Sequence, residues 1–320
     1  MTTISFQNRV VVITGAGNGL GRTYALDIAR RGGAVVVNDL GVDIEGVGGS
    51  HAAADKVVAE IKAAGGKAAA NYDSVATTDG ASRIVKAALD SFGRIDALIN
   101  NAGNLRTALF ENVSQEDRGS LFETHLAGTF NVTQAVWPHM KAQGYGRIVF
   151  TTSAAGMLGN PTQSAYGAAK AGITGLMNVL SQEGEPYGIL CNGLMPNATG
   201  RMGEKTVKDT DPEVMKKKAP FLSALGKSLE PEFTTGMGVY LASESCKTTH
   251  SIYSSLGGRM ARVFIGITEG WQGSREQPAT AEDIAANIVQ IRDTAGDFHI
   301  PKKLTDEHMV VTKLAPPTRD

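Results

Sequence analysis

The chain is predicted to be an α/β protein with a doubly wound parallel sheet, formed as a single domain with a C-terminal extension. Three observations predict this. Short apolar runs alternate with helix-length stretches, the first run passes directly into a glycine-rich turn, and polar or glycine residues recur at the carboxyl ends of the runs.

The elements follow in order. Val10 to Thr14 reads as a buried strand, Gly15-Ala16-Gly17-Asn18-Gly19-Leu20-Gly21 as the turn, and Gly21 to Arg31 as the helix it opens. Ala34 to Asn38, Lys67 to Tyr72, Ala97 to Asn100, Arg147 to Thr152 and Ile189 to Met195 read as further strands. Ser50 to Ala64, Asp79 to Phe92, Ser120 to Gln143 and Gln163 to Glu185 read as the intervening helices. Right-handed crossovers then put helices on both faces and bring Gly15, Asp39, Asn100 and Ser153 to one sheet edge, where such folds bind ligands.

Beyond Met195 the pattern loosens. Residues 197–220 are polar, without clear period, and carry Lys216-Lys217-Lys218; both a mobile substrate-covering segment and a solvated surface insertion fit them. Pro231 to Ser243 reads as a helix and Ser251 to Leu256, before Gly257-Gly258, as the last sheet strand. Residues 1–260 are read as the dinucleotide-binding domain and 261–320 as an extension packed on or near it, with a short strand Val263 to Thr268 and a helix Ala281 to Arg292. The tail from Pro301, ending in Pro316-Pro317, is expected to be extended.

Composition narrows the function classes. The 320 residues carry a net charge of -1, so there is no basic excess for nucleic acid or anionic lipid. No apolar run reaches the length of a membrane span, and Met1 to Arg9 lacks a signal-peptide core. Cys191 and Cys246 are the only cysteines, which implies no disulfide framework and a reducing, cytoplasmic setting. No metal site is expected.

Chemistry is concentrated in Ser153 and Tyr166-Gly167-Ala168-Ala169-Lys170. Tyr166 and Lys170 stand at i and i+4 on a predicted helix and share one face. An ammonium there favours the phenolate and lowers the phenol's pKa, while Ser153 hydrogen-bonds the reacting oxygen. The glycine turn supplies the cofactor side. Gly15 and Gly19 admit a pyrophosphate to the backbone, Gly21 allows close helix packing, and the helix N-terminus offers N–H groups. Asp39, 24 positions after Gly15, can accept from ribose hydroxyls and repels a 2′-phosphate, so NAD is favoured over NADP.

Together Thr14-Gly15-x-x-x-Gly19-x-Gly21, Asn100-Asn101-Ala102-Gly103, Ser153 and Tyr166-x-x-x-Lys170 resemble the short-chain dehydrogenase/reductase family, with its Rossmann-like fold. The resemblance implies that Tyr166 is the acid/base and that Lys170 lowers its pKa and binds the nicotinamide ribose. It also implies that Asp73 meets the adenine and that Asn101 steadies the central strand. Asn18, Leu20, Ser74, Ala102, Gly103 and Pro196 fall beside the cofactor by the same likeness. Two departures stand out: His125 replaces the Asn of the usual proton relay, and Asn197 follows Pro196 where Gly is usual. His125 is read as a relay, kinking or packed residue, and a titratable imidazole there would add a pH dependence.

These departures, with the long segment Asn38 to Ser50, look like the (3R)-hydroxyacyl-CoA dehydrogenase unit of peroxisomal multifunctional enzyme type 2 and its single-domain bacterial relatives. That likeness implies NAD-dependent oxidation of a (3R)-hydroxyacyl-CoA in fatty-acid metabolism, with a bulky or steroid-bearing acyl chain admitted and Lys216 to Lys218 near the CoA phosphates. The C-terminal residues Pro317 to Asp320 are no peroxisomal address, which fits a stand-alone cytoplasmic enzyme. Two alternatives share the residues: a dehydrogenase of hydroxysteroids or other lipophilic alcohols, and a catalytically silent NAD-binding protein. A homodimer or homotetramer through the helices at 120–143 and 163–185 is the oligomer implied.

Overall fold

Seven short runs pair side by side, and the central ones, rich in Val, Ile, Leu and Ala, bury both faces. The seven are β1 (Val10–Thr14), β2 (Ala34–Asn38), β3 (Lys67–Asn71), β4 (Ala97–Asn100), β5 (Gly146–Thr151), β6 (Ile189–Pro196) and β7 (Ser251–Leu256). The computed structural model describes residues 3–198 and 200–312. With β8 (Arg259–Val263) at one edge, the sheet order is β3-β2-β1-β4-β5-β6-β7-β8, with parallel registers between neighbours from β3 to β7. Strand order reverses direction between β1 and β4, the switch point at which open α/β sheets leave a crevice.

Ser251–Leu256 is not the last strand, as the sequence suggested. Gly257 and Gly258, both at positive φ, form a two-residue hairpin that returns the chain as β8 (Arg259–Val263), the eighth strand. The expected strand Val263 to Thr268 is accordingly divided between the end of β8 and a two-residue β9 (Ile267–Thr268).

Helices α1 (Gly19–Arg30) and α2 (Ala52–Ala63) share one face of the sheet with α10 (Glu232–Ala242). Opposite them pack α3 (Thr78–Phe92), α5 (Gly128–Gln143) and α7 (Ser164–Gly184). The core between the first layer and the sheet holds Phe6, Ile13, Tyr24, Ile28, Val35, Val37 and Ile99, each at most 1% exposed. Burial of this kind stabilises by roughly 1.5–3 kcal/mol per large side chain.

The helix expected at Ser120 to Gln143 starts earlier and is not continuous. It begins as α4 (Gln115–Leu121), capped by Ser114, passes through a π-helical turn at Phe122–Ala127, and continues as α5. After β5 comes the single turn α6 (Ala154–Met157). Residues 197–220, expected to be irregular, form α8 (Arg201–Asp209) and most of α9 (Pro212–Leu225), the latter opened by the Asp211 cap and Pro212 at its first position.

At the amino-terminal edge of the sheet the buried Asp96 carboxylate accepts from Arg9, Arg94 and the Val10 N–H, at 2.7–2.9 Å. The Arg9 and Arg147 guanidinium groups lie 4.1 and 4.4 Å from the centre of the Tyr145 ring.

The chain divides into two compact units, Met1–Arg262 and Val263–Asp320. Within the second, β9 pairs antiparallel with β10 (Phe298–His299), Phe264 stacks on Phe298, and α11 (Ala281–Ile291) starts at a Thr280/Asp283 capping box. Its tail is not extended from Pro301: Leu304–Thr312 forms α12. Pro316-Pro317 lies outside the described residues.

Candidate active site

The β1–α1 turn is built by glycine. Gly15 has φ 64°, and a Cβ there would lie 2.7 Å from the Ala102 Cα. Thr14 Oγ1 accepts from the N–H groups of Asn101 and Ala102, and Asn101 Nδ2 donates to the Thr14 and Gly15 carbonyls, all at 3.0 Å. Asn101 therefore stitches the end of β4 to the end of β1. Gly21 lies below, where α1 meets the turn.

Asp39, buried at the end of β2, accepts from Gly17 N–H and Gly41 N–H, both at 2.7 Å. The carboxylate is thus held toward the glycine turn by one oxygen and toward its own loop by the other. Asp73 accepts from Asn71 and Arg83, at 2.8 and 2.5 Å.

The side chains that the sequence marks as candidate catalytic residues come from three neighbouring elements. Ser153 lies two residues beyond β5 and caps α6, its Oγ accepting from Ala155 N–H at 3.2 Å. Tyr166 and Lys170 lie on successive turns of α7, with the Lys170 ammonium 5.7 Å from the Tyr166 ring centre. Lys170 donates to the Thr151 carbonyl at 2.7 Å. His125 sits in the π turn, a backbone insertion that often marks functional sites. Its Nε2 lies 2.8 Å from the Asn104 carbonyl, and its ring meets Tyr166 edge-on at 5.1 Å between centres. Gly103 makes room for it, since a Cβ at 103 would be 2.4 Å from His125 Cε1.

Electrostatics corrects three expectations. Burial pushes the Tyr166 phenol up rather than down, and the hydrogen bond with Ser153 opposes this. Burial also lowers Lys170 to about 7, so its ammonium is not the fixed charge the sequence implied. His125 falls to about 3, because burial and the Lys170 charge both disfavour its cation, although the Asn104 backbone bond opposes them. A proton change at His125 near neutrality is therefore not available, and it is a neutral imidazole whose Nε2 lies 2.8 Å from the Asn104 carbonyl and 3.3 Å from the Asn104 N–H.

The lowered Lys170 value has a consequence for stability. Between about pH 7 and the ordinary lysine range the unfolded chain binds a proton that the folded one does not, so stability rises with pH across that window and the contribution is unfavourable below it. Lys170→Met is expected to flatten that rise and to melt higher than the parent at pH 6 while losing activity. Thermal melts at pH 6 to 9 check it.

One cavity of about 1260 Å³ joins these parts. It is lined by Gly15, Asn18, Gly19, Leu20, Asp39, Asp73, Ser74, Asn101, Ala102, Gly103, His125, Ser153, Tyr166, Lys170 and Pro196, so of the residues selected for catalysis and dinucleotide binding Gly21 alone is off its wall. Sequence reasoning missed Asn104, Arg106, Met202 and much of α4, whose places are set by tertiary packing. Lys216 to Lys218 sit on α9 and are not in the wall. Asn104 Oδ1, His125 Nδ1 and Thr151 Oγ1, all on wall residues, are buried without a protein partner. Such atoms fit a polar ligand, and the glycine cradle fits its phosphates. Among the described residues no cluster of acidic, His or Cys side chains is suited to a metal ion.

Residues 9–211 match the family described as short chain dehydrogenase. A short-chain type dehydrogenase/reductase of Mycobacterium tuberculosis is 44% identical over 290 residues, 91% of this chain and 96% of that protein. Mouse peroxisomal multifunctional enzyme type 2 is 45% identical over 291 residues, 91% of this chain but 37% of the mouse protein. Among solved structures, a 7α-hydroxysteroid dehydrogenase complexed with NADH and 7-oxoglycochenodeoxycholic acid superposes with a TM-score of 0.70 at 27% identity, covering 81% of this chain and 98% of that one. By sequence, fold and site, the chain belongs to the short-chain dehydrogenase family and is an oxidoreductase that acts on a CH–OH group with a nicotinamide cofactor.

Proposed function

We propose that the protein oxidises the 3-hydroxyl of a (3R)-hydroxyacyl-CoA to the 3-ketoacyl-CoA, using NAD, with room for a bulky or steroid-bearing acyl chain. The observation that carries this reading is the cavity. At about 1260 Å³ it exceeds the volume typical of a single drug-sized ligand, and it continues past Ser153 and Tyr166 to Asn104, Ser120 and the start of α8. A dinucleotide and a second, extended molecule fit such a space. The likeness to the (3R)-hydroxyacyl-CoA dehydrogenase unit of multifunctional enzyme type 2 supports the choice of substrate.

The roles follow from position. The glycine turn, Asp39, Asp73, Asn101 and Pro196 would hold the dinucleotide, which supplies the hydride acceptor. Ser153 holds the substrate oxygen, and Tyr166 accepts its proton as phenolate. Lys170, held by Thr151, would stabilise the developing negative charge when it is protonated. Asp39 supports NAD over NADP, because a buried carboxylate at the end of β2 opposes a 2′-phosphate.

A second reading is oxidation of a free hydroxysteroid, favoured by the structural likeness to the hydroxysteroid dehydrogenase. Comparison of kcat/KM for a (3R)-hydroxyacyl-CoA, its unesterified acid and a hydroxysteroid tests the two. The CoA ester is expected to be preferred at least ~10-fold, equivalent to about 1.4 kcal/mol. A higher value for the acid or the steroid overturns the proposal. The same assay with NAD and NADP is expected to favour NAD, and Asp39→Ser to erode that preference.

A homodimer or homotetramer through α5 and α7 is part of this proposal, supported by exposed Phe130 and Val179 on those helices. So is a cytoplasmic location, which the free, buried Cys191 and Cys246 fit. Among the described residues no helix is long and apolar enough to cross a membrane.

A further inference from the structure

The chain between β2 and α2 does not take the short path. Residues 40–50 leave the sheet edge, run along the cavity and return, and the excursion is closed at its neck by Ser50 N–H donating to the Leu40 carbonyl at 3.2 Å. The neck requires glycine at 41, where a Cβ would lie 1.8 Å from the Ser50 carbonyl oxygen. Inside the excursion Asp43 Oδ1 accepts from the N–H groups of Glu45 and Val47, both at 2.9 Å, so the tip has a fixed shape.

That tip is tied to two other segments. Leu105 N–H donates to the Ile44 carbonyl at 2.9 Å and Arg106 Nε to the Glu45 carbonyl at 3.0 Å, which fixes it to the chain after β4. From α8, Arg201 donates to the Val42 carbonyl at 3.1 Å and Lys205 Nζ to Glu45 Oε1 at 2.9 Å. Lys205 is braced in turn by Asp209 at 3.0 Å, and Asp209 accepts from Thr107 at 2.7 Å. Val42, Ile44 and Gly46 of the excursion line the same cavity as Arg201, Met202 and Glu204 of α8. The Glu45–Lys205 pair thus bridges two segments of the wall, outside the wall itself, one of them continuous with Asp39 and the other with Pro196.

We propose that Glu45 and Lys205 form a clasp that joins the 40–50 excursion to α8 across the cofactor cavity, so that release of the dinucleotide requires the clasp to open and limits turnover. The inference rests on the nicotinamide cofactor, and goes beyond it by assigning the exit step to two side chains that line neither the glycine turn nor the catalytic end. The pair is part-exposed, at 52% for Glu45 and 19% for Lys205, so salt weakens it. Lid opening of this kind commonly sets kcat in enzymes that sequester their reactants.

The experiment is rapid-mixing measurement of NADH and NADPH release, followed by nucleotide fluorescence, for the full chain and for Glu45→Gln, Lys205→Met and the double variant. The expected result is release from the parent that quickens with ionic strength. Each single variant should release about two- to five-fold faster at low salt, the range for an exposed ion pair, with a flattened salt response. The double variant should be no faster than the singles. The exchange Glu45→Lys with Lys205→Glu should restore slow release, which separates pairing from a change of fold. With a deuterated alcohol, the isotope effect on kcat should grow in the singles as release ceases to limit. Parent-like release in both singles, with tight binding retained, overturns the clasp and leaves the cofactor assignment standing. A parent chain that binds neither NADH nor NADPH overturns both.

Discussion

Tyr166→Phe is expected to lower kcat by about 100- to 10,000-fold, the range contributed by a positioned general base, while dinucleotide affinity changes little. The reason is local. The half-buried Tyr166 ring meets the His125 ring edge-on and its phenol is within hydrogen-bonding reach of Ser153, so the Phe ring keeps the packing and removes only the oxygen proposed to take the proton. The measurement that isolates the effect is a single-turnover rate with enzyme in excess, beside a dinucleotide titration of the same preparation. A variant that kept parent-like turnover while binding substrate and dinucleotide normally would show that another group accepts the proton. In the parent, burial holds the phenol above its ordinary range, so oxidation should quicken as pH rises. His125, neutral throughout the working range, should add no step of its own to that profile.

Gly21→Ala is expected to destabilise the fold by about 2–4 kcal/mol and to weaken dinucleotide binding about ten-fold or more. The added methyl would sit 2.2 Å from the Gly15 carbonyl oxygen and 2.7 Å from Asn101 Nδ2. Neither neighbour yields cheaply. The first is backbone in the turn, and the second is the amide that ties β4 to that turn. Gly175→Ala provides the contrast. It lies mid-way along α7 with nothing within 4 Å of the added Cβ, so the same substitution should be neutral or stabilise by up to about 1 kcal/mol. Denaturant midpoints for the two variants, with dinucleotide titration of each, test the opposite signs. Equal effects would mean that the close approach at Gly21 is not what fixes α1 to β1.

What could be read in advance divides along physical lines. Strands such as Val10–Thr14 and Ala34–Asn38 are continuous apolar runs bounded by turns, so burial on both faces writes itself into composition. The positions of Gly15, Asp39, Ser153, Tyr166 and Lys170 on one cavity wall follow from the ends of those runs together with one helical repeat. The π turn at Phe122–Ala127 has no such signature, since an inserted backbone residue leaves the surrounding pattern helical. Helix α8 escaped notice because its anchors are polar, Arg201, Lys205 and Asp209, rather than an apolar stripe. For α9 the signal was present in Asp211-Pro212, a cap followed by a favoured first residue. The directions in which Tyr166 and Lys170 shift are not legible in sequence for one reason: a one-turn spacing reveals a charged neighbour but not the desolvation that both side chains meet in the fold.

The ion cluster around Asp96 lies at the opposite edge of the same strands from the candidate catalytic residues. A five-residue strand separates the two by roughly 17 Å, beyond the distance at which substitutions normally interfere with one another. Resistance to heat and choice of substrate are therefore separate engineering problems in this molecule. Changes around Arg9, Arg94 and Asp96 can be selected for endurance alone and combined afterwards with any redesign of the cavity, each set tested without rescreening the other.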